Sequence, residues 1–183
     1  MMIENACECT EDQLVDLARR GDQHAFSCLL SRYRRRAVRV AYGMLHSTED
    51  AEDVAQEAFV CVFKSLGTYQ GRGKFFTWLY RIIINLCATR RRAPSSREMT
   101  VEVTESAEES SEEAAVRSMA VRAVMARLPA QQKAALVLRE MEQLSYTEIA
   151  EVMEIAEGTV KFHLSEARRN FRRVWQEEED HEV

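Results

Sequence analysis

Helix-breaking residues are scarce in this chain, which has 6 glycines and 2 prolines among 183 residues. Sustained alternation of apolar and polar residues is also missing, so the pattern excludes an extensive half-buried sheet. Aliphatic runs such as Ile82–Ile84 are far shorter than the roughly 20 residues that cross a bilayer. Residues 1–5 lack the apolar stretch of a secretory signal. These absences predict an all-α protein that works in the cytoplasm.

Cysteine is present but follows neither a metal-binding nor a disulfide pattern. Cys28, Cys61 and Cys87 fall on apolar faces of predicted helices, where a reduced thiol behaves as a small hydrophobic group. Cys7 and Cys9 form an isolated Cys-x-Cys, for which zinc would need two more ligands at a suitable spacing. The chain also lacks a phosphate-binding glycine loop and a nucleophile beside a base. We therefore expect no metal, no cofactor and no enzymatic activity.

Charge is nearly balanced overall but strongly segregated along the chain. The 25 Lys and Arg against 30 Asp and Glu give a net charge of −5. Residues 14–92 carry a net charge of +7, residues 93–113 carry −6, and residues 114–175 carry +3. Basic segments of this size indicate polyanion binding. The acidic segments between them can compete with the polyanion for the same basic surfaces. We expect two nucleic-acid-binding modules and an acidic tail that is either solvated or mimics DNA.

Apolar spacing at helical period predicts two groups of helices. The first group occupies residues 11–92 and opens on a capping box at Thr10–Gln13. Residues 93–112 are rich in Ser and Glu and cannot bury enough apolar surface to fold alone. We therefore expect a flexible N-terminus over 1–10, a linker over 93–112, a second helical domain over 113–175 and a tail over 176–183.

The stretch from Tyr69 to Arg92 combines aromatic and basic residues in a way that suits one strand of opened DNA. Aromatic rings stack on unpaired bases, the Asn85 amide can hydrogen-bond a base edge, and arginines follow phosphates. A second interpretation is a helix that buries Trp78 and ends in solvated arginines. The stretch alone leaves both open.

A second DNA-like pattern follows the acidic segment. Ser145–Glu148 forms another capping box, a turn spans Glu154–Gly158, and a longer basic helix begins at Thr159. This arrangement is typical of a helix-turn-helix, whose second helix enters the major groove of DNA. An ordinary helical hairpin with a basic face has the same spacing.

Two ordered motifs closely resemble bacterial extracytoplasmic-function (ECF) sigma factors. Asp50–Phe59 followed by Phe76–Ile82 is similar to their region 2, and Leu144–Ala150 followed by Gly158–Lys161 is similar to their region 4. The resemblance covers about residues 11–175. It implies two small helical domains, a region 2 four-helix domain and a region 4 helix-turn-helix domain, joined by the acidic linker.

The same resemblance implies partners. A protein of this family directs core RNA polymerase to promoter DNA, melts the −10 element with region 2 and reads the −35 element with region 4. Its polymerase contacts are the clamp helices of the large subunit and the flap. An anti-sigma factor is the expected regulator, and the place of action is the cytoplasm, on the nucleoid once polymerase is bound.

The resemblance also carries over three sets of site residues. Polymerase binding falls on Asp53, Gln56, Glu57 and Phe59. Binding and melting of the −10 element fall on Tyr69, Arg72, Lys74, Arg81, Asn85, Arg90, Arg91 and Arg92, with Tyr69 holding a flipped base that Asn85 faces. Reading of the −35 element falls on Thr159, Lys161, Phe162, His163, Ser165, Glu166 and Arg169.

The last helix departs from the family pattern Gly-Thr-Val-Lys-Ser-Arg-Leu-Ser-Arg-Ala-Arg. Phe162 and His163 replace Ser-Arg, and Glu166 replaces an arginine. Glu166 can accept a hydrogen bond from a cytosine amino group or pair with a neighbouring cation. Ala156 stands where the family has a capping serine, a loss of about 1 kcal/mol at the helix end. We expect a divergent −35 sequence.

Two other functions stay compatible with the sequence. A stand-alone regulator would use the helix-turn-helix without binding polymerase, and such proteins commonly dimerise. An adaptor or decoy would bind polymerase or an anti-sigma factor without melting DNA. The aromatic and basic content of residues 69–92 argues against the adaptor.

Overall fold

The computed structural model describes residues 9–69, 71, 73–92 and 112–179, without the side chains of 91–92, 112–119 and 177–179. Cys7, Arg72, nearly all of the predicted linker and the end of the tail lie outside these residues. The described residues contain no strand and form eight α-helices: α1 Glu11–Arg19, α2 Gln23–Leu45, α3 Thr48–Ser65, α4 Phe75–Arg92, α5 Glu112–Arg127, α6 Ala130–Glu140, α7 Tyr146–Met153 and α8 Glu157–Glu179. The predicted all-α class is confirmed. No helix in this part of the chain could span a membrane.

Side-chain caps fix where the helices begin. Thr10 and Ser145 each complete a capping box, as the sequence predicts, and so satisfy backbone donors that the first helical turn leaves unpaired. The Asp22 carboxylate accepts hydrogen bonds from the amides of residues 24 and 25 at 2.9 and 3.0 Å. The Ser47 hydroxyl accepts one from the Asp50 amide at 3.2 Å. Each domain therefore has helix starts that are encoded locally.

Two of the helices end at residue types that are unusual for a helix C-terminus. α2 and α7 stop at left-handed residues that are not glycine, His46 with φ 59° and Glu154 with φ 55°. Such a conformation usually selects glycine because a Cβ atom is strained there. α8 continues through Glu179, beyond the predicted end at Trp175, because the residues that follow are strong helix formers without Gly or Pro.

The first domain is organised around α2. This helix packs against α1, α3 and α4. Its apolar stripe and those of its neighbours supply fully buried side chains, among them Leu29, Val40, Val54, Ala58, Leu79 and Ile83. Cys28 and Cys87 are buried in this core, as expected from their helix faces. Burial of these side chains supplies most of the stabilisation that the helices lack in isolation.

The second domain is built on α8. That helix packs against α5, α6 and α7 and contributes Val160, Leu164 and Ala167 to a core that also contains Leu138 and Ile149. Because these three residues recur at intervals of three and four, the opposite face of α8 is left to solvent.

The two domains contact each other directly. α6 packs against α2, and α7 packs against α4. At the first contact a Cβ atom on Gly43 would lie 2.8 Å from Met141 Sδ and 2.9 Å from Val137 Cγ2. A glycine is therefore required for this approach of α2 to α6. One continuous cluster of buried residues runs through both domains.

We predict that Ser145→Ala destabilises the second domain by about 1 kcal/mol, since it removes the oxygen that caps α7. For a chain of this length such a loss lowers the melting temperature by roughly 2–4 °C. Thermal unfolding followed by circular dichroism measures the shift. Ser165→Ala, at an exposed position within α8, is the matched control. Equal melting temperatures for the two variants would contradict the role of the cap.

Candidate nucleic-acid interface

Three of the residues assigned to DNA, Lys74, Arg81 and Asn85, lie along one side of α4 together with Trp78. Lys74 immediately precedes the helix, and Trp78, Arg81 and Asn85 follow at intervals of four, three and four residues. This spacing places them on one helical face, which we call the α4 stripe. Asn85 is exposed, whereas Trp78 and Arg81 are partly buried. The stripe thus offers an aromatic ring, an amide and two cations in a row.

Tyr69 extends the stripe with a second ring. Its ring stacks on Trp78 with centroids 4.6 Å apart and an interplanar angle of 19°. The Tyr69 hydroxyl donates to the Gly73 carbonyl at 3.0 Å, which closes the loop that precedes α4. Burial, with smaller effects from nearby carboxylates, raises the pKa of Tyr69. The phenol therefore stays neutral near an anionic ligand, and the ring pair forms a platform of the kind on which bases stack.

The described cations of this surface are all bonded to carboxylates. Lys74 Nζ lies 2.7 Å from Glu148 Oε1 of α7. The Arg81 guanidinium lies 2.8 Å from Glu154 Oε1 and donates to the Glu151 carbonyl at 2.6 Å. The hydrogen bond from Lys74, together with those from Ser145, lowers the pKa of Glu148 to about 2. Sequence analysis did not predict that the second domain supplies these acceptors.

Arg90 is held by a different partner. Its guanidinium pairs with Asp50 and Asp53 of α3 at 2.9 and 2.8 Å, on the side of α4 away from Arg81. The hydrogen bond to Asp53 raises the pKa of Arg90. Arg91 and Arg92 belong to α4, but their side chains are outside the described part. Arg90 thus joins the residue set predicted for DNA to the set predicted for polymerase.

Two of the residues predicted to bind polymerase, Gln56 and Phe59, line a groove between α2 and α3. This α2–α3 groove has a volume of about 390 Å³ and is lined mainly by apolar side chains: Phe26, Leu30, Val38, Ala55, Phe59, Val60 and Phe63, with Arg34, Glu52 and Gln56. Phe59 is only 6% exposed and belongs to its floor. Asp53, Gln56 and Glu57 are exposed on α3.

Sequence reasoning missed two residues of this groove. Phe63 and Val60 are 57% and 51% exposed, and Phe63 packs edge-on against Phe26 with centroids 5.2 Å apart. The sequence could have predicted their exposure, because both residues are apolar but lie off the helical stripe formed by Val54, Ala58 and Val62. An apolar second face on a helix already paired in a core marks an interaction surface.

The exposed face of α8 carries most of the residues assigned to the −35 element. Thr159, Lys161, Phe162, Ser165 and Arg169 are exposed, and the last three recur at the helical period. Phe162 is 60% exposed, an unusual position for a phenylalanine. The major groove of B-DNA is wide enough to admit an α-helix with such an exposed face.

The other residues assigned to the −35 element on α8 differ in their contacts. Glu166 Oε2 lies 2.6 Å from the Arg169 guanidinium, and its side chain is only 19% exposed. Lys161 pairs with Glu157 at 3.0 Å. His163 is partly buried, and within the described residues its Nδ1 has no hydrogen-bond partner. Among residues 9–69, 71, 73–92 and 112–179, no group of three or more His, Cys, Asp or Glu is placed to hold a metal.

Comparison with protein-family models gives two matches. The model of Sigma-70 region 2 matches residues 29–97, and that of Sigma-70, region 4 matches residues 118–171. RNA polymerase sigma-H factor of Pseudomonas aeruginosa is 38% identical over 174 residues, which cover 86% of this chain and 90% of that protein. ECF RNA polymerase sigma-E factor of Escherichia coli K12 is 36% identical over 176 residues, covering 88% and 92%.

Solved structures agree on the fold. CnrH, solved with the cytosolic domain of CnrY, superposes with a TM-score of 0.73 at 22% identity and covers 91% of this chain and 97% of its own. The sigma factor RpoE of Bartonella quintana, solved with the anti-sigma factor NepR, gives 0.66 at 19% identity and covers 82% and 96%. At these identities the likeness concerns the arrangement of helices alone.

We predict a small energetic coupling between Arg90 and Asp53, because their ion pair joins α3 to α4 near the surface. A double-mutant cycle of Arg90→Ala and Asp53→Ala in urea unfolding should give a coupling of about 0.2–1 kcal/mol. The same cycle with Glu52→Ala, exposed on α3, should give none. Additive effects in the Asp53 cycle would show that the pair contributes nothing to stability.

Proposed function

The chain belongs to the ECF sigma factors, with sigma-70 regions 2 and 4, and we propose how its residues divide the recognition of a promoter. It is a sigma factor that binds RNA polymerase and recognises promoter DNA. In our proposal region 2 spans residues 11–92 and region 4 spans residues 113–175. Residues 93–112 link them, and residues 1–10 and 176–183 flank them.

The stacked pair of Tyr69 and Trp78 beside the α4 stripe carries the proposal for the −10 element. Extruding a base costs a few kcal/mol, and stacking on an aromatic ring returns about 1–3 kcal/mol per base. Tyr69 would receive the extruded base, and Asn85 would hydrogen-bond its edge. Lys74 and Arg81 would contact phosphates, with Arg72, Arg91 and Arg92 extending the basic track.

The α2–α3 groove supports a polymerase contact. A helical partner inserts apolar side chains into such a groove, and Val60 and Phe63 provide a wide apolar wall. Gln56 lines this groove, and Asp53 and Glu57 are exposed on the same helix, so α3 suits a partner with basic residues, such as the clamp helices. Phe59 contributes from the floor. Region 4 would contact the flap.

Phe162 supports a specific form of −35 reading. An exposed aromatic ring on a helix that enters the major groove is an apolar group facing base edges, and the apolar group on those edges is the thymine methyl. Ser165 and Arg169 share its face, with Thr159 and Lys161 beside it. His163 and Glu166 would act indirectly, since the first is partly buried and the second holds Arg169.

In the proposed function this chain catalyses no chemical step, because the polymerase synthesises the RNA. The protein acts in the cytoplasm and, once bound to polymerase, on the nucleoid. An anti-sigma factor is proposed as regulator. The α2–α3 groove offers such a protein an apolar site, and Bartonella quintana RpoE was solved with one.

The first experiment is size-exclusion chromatography of the purified chain with bacterial core RNA polymerase. Co-elution, followed by transcription from a promoter selected from a random library, is expected. A folded protein that elutes apart from polymerase would instead favour the stand-alone regulator.

We predict that Tyr69→Ala lowers initiation by that holoenzyme at least about fivefold, because loss of one stacked base costs about 1–3 kcal/mol. Asn85→Ala should lower it as well, while Tyr69→Phe keeps the ring and most of the activity. Run-off transcription measures the effect. On a template with a pre-melted −10 bubble the defects should shrink. Full activity of both alanine variants would favour the adaptor.

A second prediction concerns the thymine methyl. Replacing each thymine of the −35 element by uracil removes only a methyl group, and at one position this should weaken holoenzyme binding about fourfold, for roughly 0.8 kcal/mol of lost apolar contact. Phe162→Ala should abolish that difference. Thr159→Ala is the control and should preserve it. Equal uracil sensitivity of wild type and Phe162→Ala would exclude this contact.

A further inference from the structure

The carboxylate of Glu11, in the first turn of α1, reaches two other helices. Glu11 Oε1 accepts a hydrogen bond at 3.2 Å from the amide of Phe75, the first residue of α4. Glu11 Oε2 accepts one from the Tyr33 hydroxyl of α2. Burial, and then this hydrogen bond, raises the pKa of Tyr33 far above its usual value, so the phenol stays a donor. One side chain therefore joins α1, α2 and the N-terminus of α4.

The N-terminus of α4 needs such an acceptor. The first amides of a helix have no partner within the helix, and a negative charge is favourable beside them. The residue directly before α4 is Lys74, whose side chain has no acceptor atom. The preceding loop contains Gly71 and Gly73 at φ 67° and 90°, a backbone region that other residues rarely adopt. The start of α4 is therefore fixed from outside, by α1.

Phe75 connects this anchor to the stacked rings of Tyr69 and Trp78. The Phe75 side chain is 2% exposed, and its ring lies edge-on to Trp78 with centroids 6.0 Å apart. It also packs against Tyr33 with centroids 5.3 Å apart. α1 packs in addition against the short turn Leu66–Thr68, which directly precedes Tyr69. Both ends of the loop that begins at Tyr69 are therefore in contact with α1.

Electrostatics alone does not explain a carboxylate at this place. After burial, the negative charges of Glu11 and Asp12 raise the pKa of Tyr69, so both lie near the proposed base-binding ring. A negative charge beside a DNA-binding surface repels phosphates and weakens binding. Asp12 is exposed, and within the described residues its carboxylate has no bond to α4. The bonds to α2 and α4 distinguish Glu11 from its neighbour of equal charge.

We infer that Glu11 is a positioning residue for the −10 element, which holds the loop before α4 so that the Tyr69 ring can receive the extruded base. The inference rests on the proposed function of Tyr69. A binding group that is held about 1 Å too loosely loses much of its effect, so the anchor matters as well as the ring. Glu11 precedes residue 29, where the match to Sigma-70 region 2 begins.

The test measures how much the extruded base contributes to DNA binding by the holoenzyme. Fluorescence anisotropy gives the affinity for a labelled non-template −10 strand, and for the same strand with an abasic site at one position at a time. At the position that Tyr69 receives, wild type should prefer the intact strand at least about fivefold, and Tyr69→Ala should lose this preference. Both strands carry the same phosphates, so the affinity ratio reports the base alone.

Three variants examine the anchor. Glu11→Ala keeps the Thr10 cap of α1 but should lower the affinity ratio at least about twofold, because the loop is no longer held. Glu11→Gln should keep the ratio, since an amide of the same length can accept from the Phe75 amide and donate to the Tyr33 oxygen. Asp12→Ala removes the same charge without touching α4 and should also keep it.

The outcomes separate this inference from the proposed function. If Tyr69→Ala keeps the preference for an intact strand at every position, the proposed role of Tyr69 is contradicted. If Tyr69→Ala loses the preference and Glu11→Ala keeps it, the positioning role is overturned. An equal loss in Glu11→Gln or Asp12→Ala would also overturn it, because the effect would then follow charge.

A further variant decides if Glu11→Ala does not fold. Tyr33→Phe keeps the ring that packs against Phe75 but removes one of the two hydrogen bonds that hold the Glu11 carboxylate. It should lower the affinity ratio in the same direction as Glu11→Ala. An unchanged ratio in this variant would overturn the positioning role.

Discussion

The placement of the two domains depends on one buried charge. A carboxylate that is withdrawn from water has to satisfy both oxygens, and Glu142 does so only with donors of the other domain. Apolar contact alone would allow α6 to slide along α2. The close approach at Gly43 and the directional bonds at Glu142 together select one arrangement. The hydrophobic effect holds the domains in contact, and the charge determines their register.

Lys74 and Arg81 are basic residues with two candidate anionic ligands. They pair with carboxylates of the second domain in the structure, and the proposed function assigns them to DNA phosphates. The structure leaves the α2–α3 groove and the −35 face of α8 accessible. Under the proposed function, the surface for polymerase is therefore accessible in this arrangement, whereas the cations assigned to the −10 strand are already bonded to carboxylates.

The sequence predicted what is encoded locally. The capping boxes at Thr10 and Ser145, the all-α class and the buried Cys28 and Cys87 depend on neighbouring residues and helical period, and the structure confirms them. It did not predict the partners of Arg81 or the role of Glu142, because such pairs join residues far apart in the chain. The sequence suggested that the acidic segments would compete with DNA for the basic surfaces. In the structure, Glu148 of α7 and Glu154, which follows α7, bind the basic residues Lys74 and Arg81.

Lys74 and Arg81, shared between two ligands, also impose a thermodynamic symmetry. Two ligands that exclude each other reduce each other's affinity by the same factor. Under the proposed function, whatever the pairing with Glu148 and Glu154 takes away from DNA affinity, promoter DNA takes away from that pairing. A tighter −10 sequence would then also loosen the contact between the two domains.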